Sequence, residues 1–202
     1  MQESNEKIII SLKVYEIYKK LVQRINNPET SQEIPFLLLG NKREINGETC
    51  TIIEDIHYDI SKALSDTSVT DDEEKFRELM NDETYSVISI GHTHGNVSEQ
   101  LKLTSLARTL PNEIKEKYDI RDTGLNISVA DIWQHEAFIS IAKELSTSKE
   151  ILQTIIMFNG DMVMINPNGI TKSSQVQTVL LDGSYEVVPT DENKEFSHKQ
   201  LR

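Results

Sequence analysis

Two apolar runs, Ile34 to Gly40 (IPFLLLG) and Thr49 to Ile56 (TCTIIEDI), flank a turn that contains Asn46-Gly47. Asn-Gly between strand-like runs is the strongest short-range hairpin signal, because both residues tolerate the positive φ of a tight type I′ turn. The pair therefore predicts two adjacent antiparallel strands, and everything else in the chain must pack around them. Upstream, Val14, Ile17, Tyr18, Leu21, Val22 and Ile25 recur at the spacing of one helical face, and Pro28 closes that helix. Lys7 to Ile10 reads as a short edge strand.

Downstream, Thr70-Asp71-Asp72-Glu73 resembles a capping box and opens a second helix, expected to lie mostly at the surface. Tyr85 to Ile90 (YSVISI) is nearly continuous apolar sequence, as expected for a central strand buried on both faces, and it runs directly into GHTHGN. A further helix is expected over SVADIWQHEAFISIAKEL, followed by a hairpin at Asn159-Gly160-Asp161 and another at Asp182-Gly183. Strands interleaved with helices give an α/β class: a central mixed or antiparallel sheet flanked by helices. Cys50, the one cysteine, lies in a strand-like run and reads as a small core residue. Trp133 reads as a packing residue.

Charge narrows the partners. The chain has 202 residues, with 21 Lys and Arg against 33 Asp and Glu, for a formal net charge of −12. Such a surface disfavours nucleic acid and anionic membranes, since neither gains counterion release from a protein short of cations. No stretch approaches a membrane span, and the start, MQESNEK, has no basic segment followed by an apolar one, so a cytoplasmic location is expected.

His92 and His94 carry the chemistry. Residues i and i+2 of a strand face the same way, so the two imidazoles at the end of the YSVISI strand can converge on one ion. Asp131, early in the later helix, is a candidate third ligand, and Ser128 lies three residues before it. A hydrolytic zinc site also needs a carboxylate to take a proton from water, and Glu33 precedes an apolar strand where an acid would be costly unless it faced a polar site.

The order Glu33-Ile-Pro-Phe-Leu-Leu-Leu-Gly40, then His92-Thr-His94, then Ser128-x-x-Asp131, resembles the pattern of the JAMM (JAB/MPN) metalloproteases over about Ile8 to Ile165. The resemblance implies the MPN (cytidine deaminase-like) fold, with His92, His94 and Asp131 binding Zn2+. It further implies Glu33 as general base and Ser128 as the group that steadies the tetrahedral oxyanion. The reaction implied is hydrolysis of a peptide or isopeptide bond at the C-terminus of ubiquitin or a ubiquitin-like protein. The family spaces its serine closely behind the second histidine, whereas 33 residues separate His94 from Ser128 here. Residues 95–127 are thus read as an insertion, either a tolerated surface loop or a lid over the site. The domain expectation is a metalloprotease domain over 1–166 and an extension with a hairpin and a loose tail over 167–202; the oligomeric state stays open.

His135, four residues beyond Asp131, is open to three roles, contacting Asp131, contacting substrate or competing as a ligand, with a supporting or helix-surface place preferred. Two other functions compete with the zinc peptidase. A non-catalytic MPN scaffold would be expected to lose ligands. A calcineurin-like metallophosphoesterase is hinted at by GHTH and by Asp55-Ile-His57, but the Gly-Asn-His-Asp/Glu motif is missing.

Overall fold

The computed structural model describes residues 7–27, 33–45, 47–58, 70–94, 110–118, 129–157, 162–166, 169–171, 176–179 and 188–189. Along the chain these form β1 (Lys7–Ser11), α1 (Leu12–Asn26), β2 (Pro35–Ile45), β3 (Glu48–Tyr58), α2 (Thr70–Met80), β4 (Val87–His94), α3 (Asn112–Lys117) and α4 (Val129–Glu144). Then follow β5 (Glu150–Met157), β6 (Met162–Asn166), β7 (Gly169–Thr171), β8 (Val176–Val179) and β9 (Val188–Pro189). Among the described residues the strands make one sheet in the order β7-β6-β5-β4-β2-β3-β1-β8-β9. It is mixed: β1 runs parallel to β3 and β8, and β4 parallel to β5, while the other neighbours are antiparallel. The chain is therefore of mixed α/β class.

The expected first hairpin forms between β2 and β3, with Ile45 opposite Glu48 and Gly47 at φ 81° in the left-handed region. Asn46 lies outside the described residues. The ladder slips between Leu39 and Gly40, and a Cβ on Gly40 would sit 2.2 Å from the Ile52 carbonyl oxygen. Only glycine allows that approach, so the glycine that closes the IPFLLLG run is there for the bulge.

Both faces of the sheet are covered, which is why the central strands read as continuous apolar runs. Even-numbered residues of β2, Phe36 and Leu38, join Ile8, Ile10, Leu152 and Ile156 beneath Val14, Leu21 and Ile25 of α1. Ser11 starts α1: its Oγ accepts from the Val14 N–H at 3.2 Å, and the hydroxyl also lies 3.2 Å from the Glu54 carbonyl. Odd-numbered Leu37 and Leu39 join Ile88, Ile90 and Ile151 on the opposite face, beneath Phe76 of α2 and Phe138 of α4. Those two rings meet edge to face at 4.6 Å.

One expectation fails here. Lys7 to Ile10 is not an edge: β1 lies between β3 and β8, and Ile8, Ile9 and Ile10 are all buried. Three isoleucines in a row, without alternation, suit a strand enclosed on both faces better than a rim. The second helix buries one side, Phe76, Leu79 and Met80, while Glu74, Lys75, Arg77 and Glu78 stay at least partly exposed, in keeping with a helix that lies at the surface. The hairpins β5–β6 and β8–β9 pair antiparallel as expected, with their turns at 159–161 and 182–183 outside the described residues. Cys50 is buried, and its thiol donates to the Glu48 carbonyl at 3.7 Å. No helix among the described residues is long and apolar enough to cross a membrane.

Candidate metal centre

The topology brings the candidate ligands to one end of the sheet. Strands β4 and β5 are parallel, so the chain between them must cross back, and α4 makes that return. A crossover helix starts beside the C-terminal ends of the strands it connects, where open α/β sheets place their ligand sites. Asp131, in the first turn of α4, therefore meets His92 and His94, the last residues of β4 on the α4 face.

The contacts are close. His92 Nε2 lies 3.1 Å from Asp131 Oδ1, and His94 Nε2 lies 3.7 Å from Asp131 Oδ2. The two imidazole centroids are 4.8 Å apart. Asp131 is buried while both histidines are partly exposed. Burial alone would raise the Asp131 carboxyl, but hydrogen bonds and charge from His92 and His94 outweigh it and hold the carboxyl well below the usual range. The helix N-terminus adds favourable positive potential at the same position.

The donor set fits a metal. Tetrahedral zinc with bonds of about 2.0–2.1 Å has donors separated by roughly 3.3 Å. Each imidazole Nε2 lies within 3.7 Å of an Asp131 carboxylate oxygen, and one donor atom from each of the three residues lies within 4.8 Å of the others, a spread that small side-chain adjustments bring to that value. His92, His94 and Asp131 form a group able to hold a metal ion.

Glu33 reaches the same end through β2. Strand β2 is antiparallel to β4, with Pro35 opposite His92. The pairing continues one residue further: Thr93 N–H donates to the Ile34 carbonyl at 3.1 Å, and Ile34 N–H donates to Thr93 Oγ1 at 2.9 Å. Ile34 packs beneath α1 on the opposite face, so Glu33, half-buried, falls opposite His94 on the imidazole face. Ser128 lies outside the described residues, immediately before α4.

Sequence reasoning missed two supports of the site. Thr93, in sequence only the spacer between the histidines, is fully buried, and its hydroxyl accepts from the Ile34 N–H and so ties the segment after Glu33 to the histidine strand. Gly91 had been only part of GHTH, yet a Cβ there would fall 2.1 Å from the Phe36 ring and 2.6 Å from the Thr154 carbonyl oxygen. A glycine placed before two outward-pointing histidines was the available signal for a tight backbone approach.

Two readings are corrected. His135 is neither a helix-surface residue nor one of the clustered ligands: it is fully buried, with Nδ1 2.9 Å from Tyr118 Oη and Nε2 3.1 Å from the Ile151 carbonyl oxygen. One helical turn carries it back over the sheet from the metal end, onto the Ile151 carbonyl near the start of β5 and against Tyr118. Trp133 is not a packing residue but is 48% exposed, because it follows Asp131 by two positions and so turns away from the sheet. Compared with models of known protein families and with curated proteins, the chain matches none.

Proposed function

We propose that this chain is a zinc-dependent peptidase of JAMM type, with an MPN-type fold, that hydrolyses a peptide or isopeptide bond at the C-terminus of ubiquitin or a ubiquitin-like protein. The observation that carries this reading is the meeting, at one end of the sheet, of the His92–His94–Asp131 cluster with Glu33 on the adjacent strand. Two imidazoles and one carboxylate are the donor set of hydrolytic zinc sites that keep a position open, and the partial exposure of both histidines supports an accessible one. Zinc held there by His92, His94 and Asp131 would supply Lewis acidity to the scissile carbonyl and lower the pKa of a water toward neutrality.

The chain's own groups supply the rest. Glu33 accepts a proton from the attacking water and returns it to the departing amine, a role that needs a carboxylate beside the metal ligands rather than among them. Ser128 offers an O–H donor to the developing oxyanion. Thr93 holds the Ile34 backbone, the residue after Glu33, against the histidine strand. An extended C-terminal tail, lying along strand-like backbone, suits a site at the end of a sheet. The phosphoesterase alternative gains no support, since neither Asp55 nor His57 belongs to the His92–His94–Asp131 group, the one such group among the described residues.

The test is incubation of zinc-loaded protein with a panel of ubiquitin and ubiquitin-like C-terminal fusions, read by intact mass. Cleavage of one fusion after its terminal glycine, stopped by a chelator and restored by zinc, is the expected result. One bound zinc per chain with no fusion cleaved would overturn the peptidase reading in favour of a binding module.

A further inference from the structure

A buried glutamine near the metal cluster costs the sheet stability, and packing gives no reason for it. Gln153 lies on β5, on the α4 face, and is fully buried. Its neighbours on that face are buried isoleucines: Ile151 and Ile155 along the strand, Ile90 opposite on β4 and Ile165 opposite on β6. An amide among them is costly unless both of its ends are hydrogen-bonded. Only one end is. Gln153 Nε2 donates to Gln134 Oε1 at 2.9 Å, while Gln153 Oε1 has no partner among the described residues. A leucine would fill the same place without that cost, so the amide points to a role outside packing.

The two elements that carry ligands flank this amide. Gln134 follows Asp131 by three residues on α4, so its bond to Gln153 ties β5 to the helix that presents the carboxylate. On the other side, β4 and β5 pair with Ile90 beside Gln153 and His92 beside Ile155. His92 is therefore the diagonal neighbour of Gln153 on the same face, within reach of a long side chain. His92 turns Nε2 toward Asp131, at 3.1 Å, so Nε2 is the nitrogen on the side of an ion. A neutral imidazole that ligates through Nε2 carries its proton on Nδ1, and that N–H needs an acceptor. Gln153 Oε1 is the one buried side-chain oxygen without a partner among the described residues.

We propose that Gln153 is a positioning residue of the metal centre: its Nε2 steadies the Asp131 helix through Gln134, and its Oε1 accepts the Nδ1–H of His92 when Nε2 of that ring binds the ion. This role rests on metal binding by His92, His94 and Asp131, and not on which bond the centre cleaves. Its effects are opposite in sign to those of an ordinary core residue. Gln153→Leu removes the unpartnered oxygen and fills the place with apolar volume, while half-buried Gln134 can turn to water; the metal-free chain is then at least as stable as wild type, yet zinc binds less well. Gln153→Glu keeps an acceptor for His92 but buries a carboxylate, so the metal-free chain is less stable while zinc affinity is kept or raised.

Urea unfolding of the metal-free full chains, and competition for zinc against a chromogenic chelator, measure the two properties separately. Gln153→Leu is expected to match or exceed the wild-type unfolding midpoint and to bind zinc about 10–100-fold more weakly. Gln153→Glu is expected to unfold at lower urea with zinc affinity no weaker than wild type. In zinc-loaded wild type the His92 Nδ1–H proton is expected to be observed by NMR and protected from exchange with water, and to lose that protection in Gln153→Leu. Wild-type zinc affinity in Gln153→Leu, a loss of affinity in Gln153→Glu that tracks its loss of stability, or an unprotected His92 Nδ1–H in zinc-loaded wild type would overturn the proposal. Should a variant fail to fold, the wild-type measurement decides alone. A wild-type chain that takes up no zinc would overturn the metal centre itself, and the role of Gln153 with it.

Discussion

Replacing Asp131 by asparagine should separate metal binding from folding. The amide keeps the shape and one acceptor oxygen, and a neutral imidazole can switch tautomer to meet the new N–H, so the metal-free fold should lose no more than about 1–2 kcal/mol. Zinc binding should suffer more. Four-ligand structural sites contribute about 10–16 kcal/mol, which apportions to roughly 3 kcal/mol per ligand, or about two decades in affinity. The consequence is visible in melting curves. Zinc at one hundred times the wild-type dissociation constant stabilises wild type by about 2.7 kcal/mol, roughly 5–11 °C in Tm for a chain of this size. A hundredfold weaker variant at the same concentration retains about 0.4 kcal/mol, or about 1–2 °C. The assay is calorimetric or fluorescence melting of both proteins with and without zinc, alongside competition against a chromogenic chelator. An Asp131→Asn protein with the full wild-type zinc shift would refute the assignment of Asp131 as a ligand.

Gly91→Ala should destabilise by about 3 kcal/mol, seen as a Tm lower by roughly 6–12 °C, because the added methyl collides with the Phe36 ring and an immovable carbonyl. Thr93→Val removes the acceptor of the buried Ile34 N–H and should cost about 1–3 kcal/mol in urea unfolding while zinc content stays at wild-type level. Acid unfolding should report Asp131. Its carboxyl is held below the ordinary range when folded, so the stabilisation is present above about pH 4 and drains away as pH falls below it, and Asp131→Asn should flatten that limb of the stability curve.

What could be read locally was read well. The β2–β3 hairpin follows from two residues of turn chemistry, α1 from a single apolar face, and the convergence of His92 and His94 from the two-residue period of a strand. Long-range pairing escaped. Nothing near Lys7 announces that β8, about 170 residues later, will cover β1, and the apolar continuity of Ile8 to Ile10 admits either an enclosed strand or a short rim. The buried His135–Tyr118 contact joins residues 17 apart through a helix of only six residues, too short to show a period. Thr93 and Gly91 were passed over because their duties lie in backbone approach and main-chain hydrogen bonding, which residue type alone does not reveal.

The proposed role of Glu33 as the base of a zinc hydrolase is tested by Glu33→Gln assayed for both metal and turnover on the fusion cleaved by wild type. The variant should bind one zinc per chain with wild-type affinity while losing about 10²–10⁴-fold in kcat, the usual contribution of a positioned proton acceptor. A Glu33→Gln protein that cleaves at the wild-type rate with its zinc in place would contradict the account.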